Sequence, residues 1–192
     1  MIETTFMKKT TILLSAIVVA TIGAATFQSC NKLASLVQYD LPMQTASAEV
    51  VLPPSTDTVG SASGSQVVNY NIDSFIKANT ANVLGISNIT SAKITSCKIT
   101  IENPTVVNNF ANFRTATGSV FSNSNATPYT ISVNNGDTYA TVLNLPVDST
   151  AELKSYLTGS QFTYSAGGSL RRATTDSIRC KVEFAFKIHV QG

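Results

Sequence analysis

The residues able to do covalent or proton-transfer chemistry are few: three cysteines and one histidine in 192 residues. Cys97 and Cys180 each sit on the apolar side of a strand-like run and each precedes a lysine, in SCKITIE and RCKVEFAF. In an oxidising compartment two such thiols on adjacent or facing strands can bridge. The chain-entropy model gives roughly 4 kcal/mol of stabilisation for a loop of that length. Two buried thiols acting as small hydrophobic side chains explain the same pattern, since a bridge needs Cα atoms within about 7 Å. His189 stands among the polar positions of the last strand, with no second ligand at a metal-binding spacing. No serine carries the sharp-turn motif of a hydrolase nucleophile. His189 is therefore read as a surface residue, and no catalytic residue, metal ligand or cofactor is assigned.

Glu102 and Glu183 lie on the two longest strand candidates and could approach each other. A glycosidase pair needs about 5–10 Å between carboxyls in a cleft, and neighbouring lysines account for both as surface residues. NNGD at 134–137 lacks the repeated aspartates of a calcium loop. Sugar platforms use flat aromatic faces. The chain has no Trp and six Tyr, of which Tyr39, Tyr70, Tyr139 and Tyr164 can face outward. From Cys30 onward 11 Lys and Arg face 10 Asp and Glu, with Arg171–Arg172 the only basic doublet. A nucleic-acid partner would require a dense basic face, so that class is set aside.

The elements that must position these groups are strands. In SIRCKVEFAFKIHVQG the alternate residues from Ile178 to Val190 are apolar and the intervening ones are polar apart from Ala185. Such period-two alternation predicts a strand with one face in a core and one in water. ISNITSAKITSCKITIE reads likewise, but Ile94 is out of phase with Cys97, Ile99 and Ile101, which predicts a bulge near Thr95–Ser96. PYTISV and TYATVLNL flank Asn135–Gly136, the pair a type I′ hairpin demands. Asn71 or Asp73 caps a short helix, SFIKAN, with Phe75 and Ile76 inward. Ser149 and Glu152 form a capping-box pattern for a second, STAELKSYL. QVVNYNI, TATGSVFS and QFTYSAGG are further strands, Phe110 and Phe113 pin a loop, and STDTVGSASGS reads as flexible and polar. The expected fold is all-β: a single antiparallel β-sandwich, immunoglobulin-like or related, with one or two short helices.

The N-terminus carries an address. Lys8 and Lys9 precede an apolar run from Thr11 to Ala25, short for a membrane span and suited to a signal-peptide core. The run ends at FQSC, residues 27–30, which resembles a lipobox of the loose kind found in Bacteroidota envelope lipoproteins. The resemblance covers residues 7–30 and implies cleavage before Cys30 and acylation of its thiol by chains such as palmitate. That division gives a signal peptide at 1–29, a lipid-anchored tether at 30–48 and the β domain at 49–192. No acidic cluster follows Cys30, which by the same resemblance implies an outer-membrane protein facing the periplasm. Asp57–Thr58–Val59, Asp148–Ser149–Thr150 and Asp176–Ser177–Ile178 resemble the O-glycosylation signal of that group, which implies glycans on Thr58, Ser149 and Ser177. The same dipeptides are ordinary turn and cap signals.

These readings converge on a non-enzymatic binding or assembly-accessory module of the cell envelope. Its partners are the membrane, through the lipid, and an envelope protein or a glycan. A subunit that associates by β-strand addition, with residues 31–52 as the donor segment, is the alternative; a glycan-binding module is the third.

Overall fold

The computed structural model describes residues 37–44 and 47–192. The signal segment and Cys30 lie outside the described residues. Tyr39–Val190 forms one compact unit. Val37, Gln38, Gln191 and Gly192 belong to a second, in which the Gly192 N–H donates to the Val37 carbonyl at 3.1 Å.

The described strands are β1 (Gln38–Gln44), β2 (Ala48–Leu52), β3 (Ser61–Asn69), β4 (Ile89–Ile101), β5 (Thr115–Ser122), β6 (Asn125–Asn134), β7 (Val142–Leu145), β8 (Gln161–Ser169) and β9 (Ile178–Gln191). Helix α1 spans Ile72–Asn79 and α2 spans Lys154–Leu157. Two antiparallel sheets pack as a sandwich. One runs β1-β9-β4-β7, with β2 also paired to β9; the other runs β3-β8-β5-β6. Strand pairing thus begins inside the stretch read as tether.

The long alternation in β9 does what its period dictates. Ile178, Cys180, Val182, Phe184, Phe186, Ile188 and Val190 are all buried. The β4–β9 ladder slips between Ile94 and Ser96, so Thr95 is the extra residue of a bulge. The bulge lets Ile94 and Cys97 face the same core although they are three positions apart. Across the core Tyr164 of β8 meets Phe184 of β9, with ring centroids 5.8 Å apart. Gly118 of β5 lets the sheets approach, since a Cβ there would lie 3.1 Å from the Cys97 Sγ.

Three local expectations fail. Asn135–Gly136 does not close a hairpin, because β6 pairs with β5 and β7 pairs with β4 in the opposite sheet. No described glycine has positive φ. Residues 135–141 cross between sheets, and arginines hold them there: Arg171 donates to the carbonyls of Asn135 and Gly136, and Arg172 to Asp137. The hairpin that does form joins β5 to β6 through Asn123–Ser124. The capping box does not form either, and α2 begins five residues beyond Ser149 without a side-chain cap. Glu152 instead ties to β4, where its Oε1 accepts from the Ala92 N–H and its Oε2 from the Ser91 hydroxyl. Finally, the polar loop is half strand: Ser61–Ser65 pairs with β8 throughout.

Helix α1 follows its expected cap. Asn71 accepts from the Ser74 N–H at 2.8 Å. Ile72 and Ile76 are buried, while Phe75 is only half-buried and leans on Tyr70.

Candidate functional site: an amide-lined cleft

The bridged reading of the cysteines is corrected by register. In the antiparallel β4–β9 ladder Cys97 stands opposite Phe184 and Cys180 opposite Ile101. Four residues of offset amount to about 13 Å along the strands, far beyond disulfide reach. Both thiols are free and buried, and burial pushes each up to about 12. They are hydrophobic core residues with no thiolate to offer.

The same ladder separates the two glutamates. Glu183 stands opposite Lys98 and is paired with it at 2.6 Å and with Lys181 at 3.3 Å. Glu102 donates its N–H to the Arg179 carbonyl, four residues away along the strand, so no carboxyl pair forms.

His189 has closer company than the sequence revealed. Its Nδ1 lies 2.9 Å from the Asp40 carboxylate, which also pairs with Lys187 at 2.8 Å. Ser91 is directly across the ladder from His189. These are the three residue types of a hydrolase triad. The Ser91 hydroxyl, however, donates to Glu152 at 2.6 Å, so the proton that a histidine base would take is already committed elsewhere. The Lys187 and His189 side chains hold the Asp40 carboxyl below its ordinary value. Among the described residues no three His, Cys, Asp or Glu side chains gather to hold a metal ion.

Of the four tyrosines expected outward, Tyr39 and Tyr139 are exposed, Tyr70 is half-buried and Tyr164 is in the core. Tyr164 lies on the same face of β8 as Phe162 and Ala166, which are likewise buried.

Tyr70 opens onto a concavity of about 630 Å³ at one end of the sandwich. Four chain segments build it: the β3–α1 corner, Ile86, the Asn123–Ser124 turn and the α2–β8 connection. They are stitched together by backbone, with the Tyr70 N–H on the Ser160 carbonyl at 3.0 Å and the Asn123 N–H on the Gln161 carbonyl at 3.0 Å. Three asparagines line it, and each uses its oxygen internally. Asn71 Oδ1 caps α1. Asn123 Oδ1 accepts from the N–H groups of Ser160 and Gln161 at 3.1 and 3.3 Å. Asn69 Oδ1 faces the Gln161 amide at 3.5 Å. Their NH₂ groups are left with at most a 3.5 Å contact, from Asn123 to the Ser160 hydroxyl.

Asp73 is the one charged residue in the lining, and it is neutralised locally. Its Oδ2 pairs with Lys77 at 2.6 Å and its Oδ1 accepts from the Ile86 N–H at 2.8 Å. The Lys77 pairing and then the Ile86 N–H hold its carboxyl below the usual value. Gly159 leaves room for the Asn123 amide, since a Cβ there would come within 2.4 Å of the Asn123 Oδ1 and displace that side chain. Burial raises the Tyr70 phenol, which therefore stays protonated as a donor. The cleft escaped the sequence reading because its residues come from four distant stretches. Only Tyr70 and Asn71 carried any signal.

Thr58, Ser149 and Ser177 are all exposed in loops. Asp57 and Asp148 accept from the N–H two residues on, at 2.9 and 2.8 Å, the turn geometry that such dipeptides favour.

No family model matches the sequence, and no curated protein does either. Solved structures give only loose superpositions. One, of Desmodium yellow mottle tymovirus, is 12% identical with a TM-score of 0.28, covering 80% of this chain and 90% of that chain. Another, of turnip yellow mosaic virus, is 15% identical with a TM-score of 0.28 over 81% and 82%. A structure of the Gx strain of infectious bursal disease virus reaches a TM-score of 0.37 at 11% identity, over 82% of this chain and 33% of that one. Likeness at this level carries no statement about activity.

Proposed function

We propose that this chain is a non-enzymatic binding module of the bacterial cell envelope, held to the outer membrane by lipid on Cys30 and facing the periplasm. The observation that carries the binding reading is the cleft. It is concave, uncharged in sum, and lined by asparagine NH₂ groups whose nearest protein acceptor is the Ser160 hydroxyl, 3.5 Å from Asn123. Buried thiols and a serine whose proton is held by Glu152 argue against nucleophilic chemistry.

Two measurements test the proposal. Metabolic acyl labelling should place radioactivity on the wild type and none on Cys30→Ser, which should leave the membrane fraction. Pull-down from crosslinked envelopes should then retain a partner; an unlabelled chain or an empty pull-down would sink it. Exposure of Thr58, Ser149 and Ser177 supports their use as glycan acceptors, which intact-mass measurement of the wild type against Ser/Thr→Ala variants reads directly.

A second reading, association by strand addition, rests on one observation: β1, the first described strand, is at a sheet edge beside β9. Concentration-dependent ladders in crosslinked extracts would favour it.

A further inference from the structure

We infer that the cleft beside Tyr70 and Asn71 is a site for a neutral saccharide, an inference that rests on the binding-module reading and gives it a ligand class. Polarity is the first argument. The oxygens of Asn71 and Asn123 are fixed on backbone N–H groups, so each amide can turn only its NH₂ toward a guest. Asn69 turns its oxygen to the Gln161 side-chain amide at 3.5 Å, and the Tyr70 hydroxyl adds a fourth donor. A guest must therefore be rich in acceptors, as sugar hydroxyl, ring and acetamido oxygens are.

Charge is the second argument. Among the described residues no Lys or Arg lines the cleft, and the Lys77 ammonium is bound to Asp73. A site for phosphate or carboxylate would present an unpaired cation, with a bidentate arginine the usual choice. Here Asp73 and Lys77 neutralise each other, and among the described residues the lining offers no free cation to an anion. Shape is the third. About 630 Å³ falls within the range of small-ligand sites, and the half-buried Tyr70 offers an aromatic surface to the C–H face of a ring. Backbone bonds and the close fit of Gly159 under Asn123 hold the donors in place before binding, which limits the entropic penalty.

Isosteric substitutions separate binding from folding. Asn71→Asp keeps a good helix cap, and Asn123→Asp keeps the oxygen that accepts from Ser160 and Gln161, yet each removes an NH₂ donor. The mature chain, held in a non-glycosidic detergent, is titrated by calorimetry with N-acetylglucosamine, its β-1,4 trimer, maltotriose and galacturonate. At least one neutral sugar should bind with a Kd of about 1 mM or tighter. Each Asp variant should weaken it by roughly tenfold or more with an unchanged melting temperature, and galacturonate should bind more weakly than the neutral sugars. Absence of neutral-sugar binding, tighter binding of galacturonate, or unchanged affinity in both variants would overturn the inference. If the wild type and Asn123→Asp capture the same envelope partner while neither binds sugar, the saccharide site is refuted and the module reading stands. An empty pull-down together with no sugar binding refutes both.

Discussion

The two ends of the sandwich are built from the same residue type and differ in whether its NH₂ groups are spent inside the protein. At the end holding Phe110–Asn112, asparagines turn their NH₂ groups into the protein. Asn109 donates to the carbonyls of Thr105 and Val106, Asn112 to Val107, and Asn135 to Phe110 and Phe113. Arg171 and Arg172 add donors to the carbonyls of Ala111, Asn135 and Gly136. At the cleft end, Asn71 and Asn123 give their oxygens to backbone N–H groups and leave their NH₂ groups with at most a 3.5 Å contact. At the first end the NH₂ groups of Asn109, Asn112 and Asn135 are spent on backbone carbonyls, although Asn108 Oδ1 is buried there without a partner. The second is a network left open on one side. Amide side chains satisfy whichever backbone group the local chain path exposes, and what remains sets whether an end is structural or receptive.

Breaking the closed end should have the largest effect. Arg171→Ala would take a charged donor from three carbonyls, two of them part-buried, of which Ala111 alone keeps a second donor in Arg172, and a loss of about 3 kcal/mol is expected in urea unfolding, because charged donors are the strong kind. Asn135→Asp would set a carboxylate against two carbonyls and should destabilise by about 2 kcal/mol in the same assay. The matched substitution at the open end, Asn123→Asp, keeps its accepted bonds and should stay within about 0.5 kcal/mol of wild type. Equal penalties at the two ends would erase the distinction drawn here.

Smaller effects sharpen it. Gly159→Ala should lower stability by about 1 kcal/mol and abolish ligand binding, since the new methyl displaces the Asn123 side chain. Asp73 gives the cleft end an acid limit. Its folded carboxyl titrates below the unfolded value of 3.8, so the unfolded chain takes up protons first. Its contribution is complete above that value and fades as pH falls through the lowered one. Asp73→Asn should flatten that limb in melts recorded between about pH 5 and 2. The smallest signal is expected from the thiols. Cys97 and Cys180, pushed up to about 12, should leave a disulfide reagent uncleaved until the chain unfolds, when both should react. A single bridged species in the mass spectrum would contradict the ladder register.

Legibility followed the range of the interaction that decides each feature. The inward face of β9 and the bulge at Thr95 were readable because period-two alternation, and a break in it, are local properties of side-chain order. The cap at Asn71 was readable because its partner, Ser74, is three residues away. Asn135–Gly136 misled because turn chemistry was treated as sufficient, whereas Arg171 and Arg172 recruit that segment to cross between sheets. Ser149 and Glu152 misled in the same way: Glu152 meets Ser91 and Ala92 on β4 as well as the Lys154 N–H that opens α2, and never reaches back to Ser149. Tyr164 looked as free to face out as Tyr70 did, and only the packing of Phe184 against it set its direction.

The amino-acid order alone determined that this chain makes strands with one wet face and one dry face, and that a short capped helix follows β3. Each of those outcomes depends on neighbours within a few residues. Which strands pair, that the two cysteines stand four residues out of register, and that three asparagines and a tyrosine meet around one cleft were settled by the tertiary structure. Such contacts join segments far apart in the chain, and their choice depends on how two whole sheets pack rather than on any local pattern.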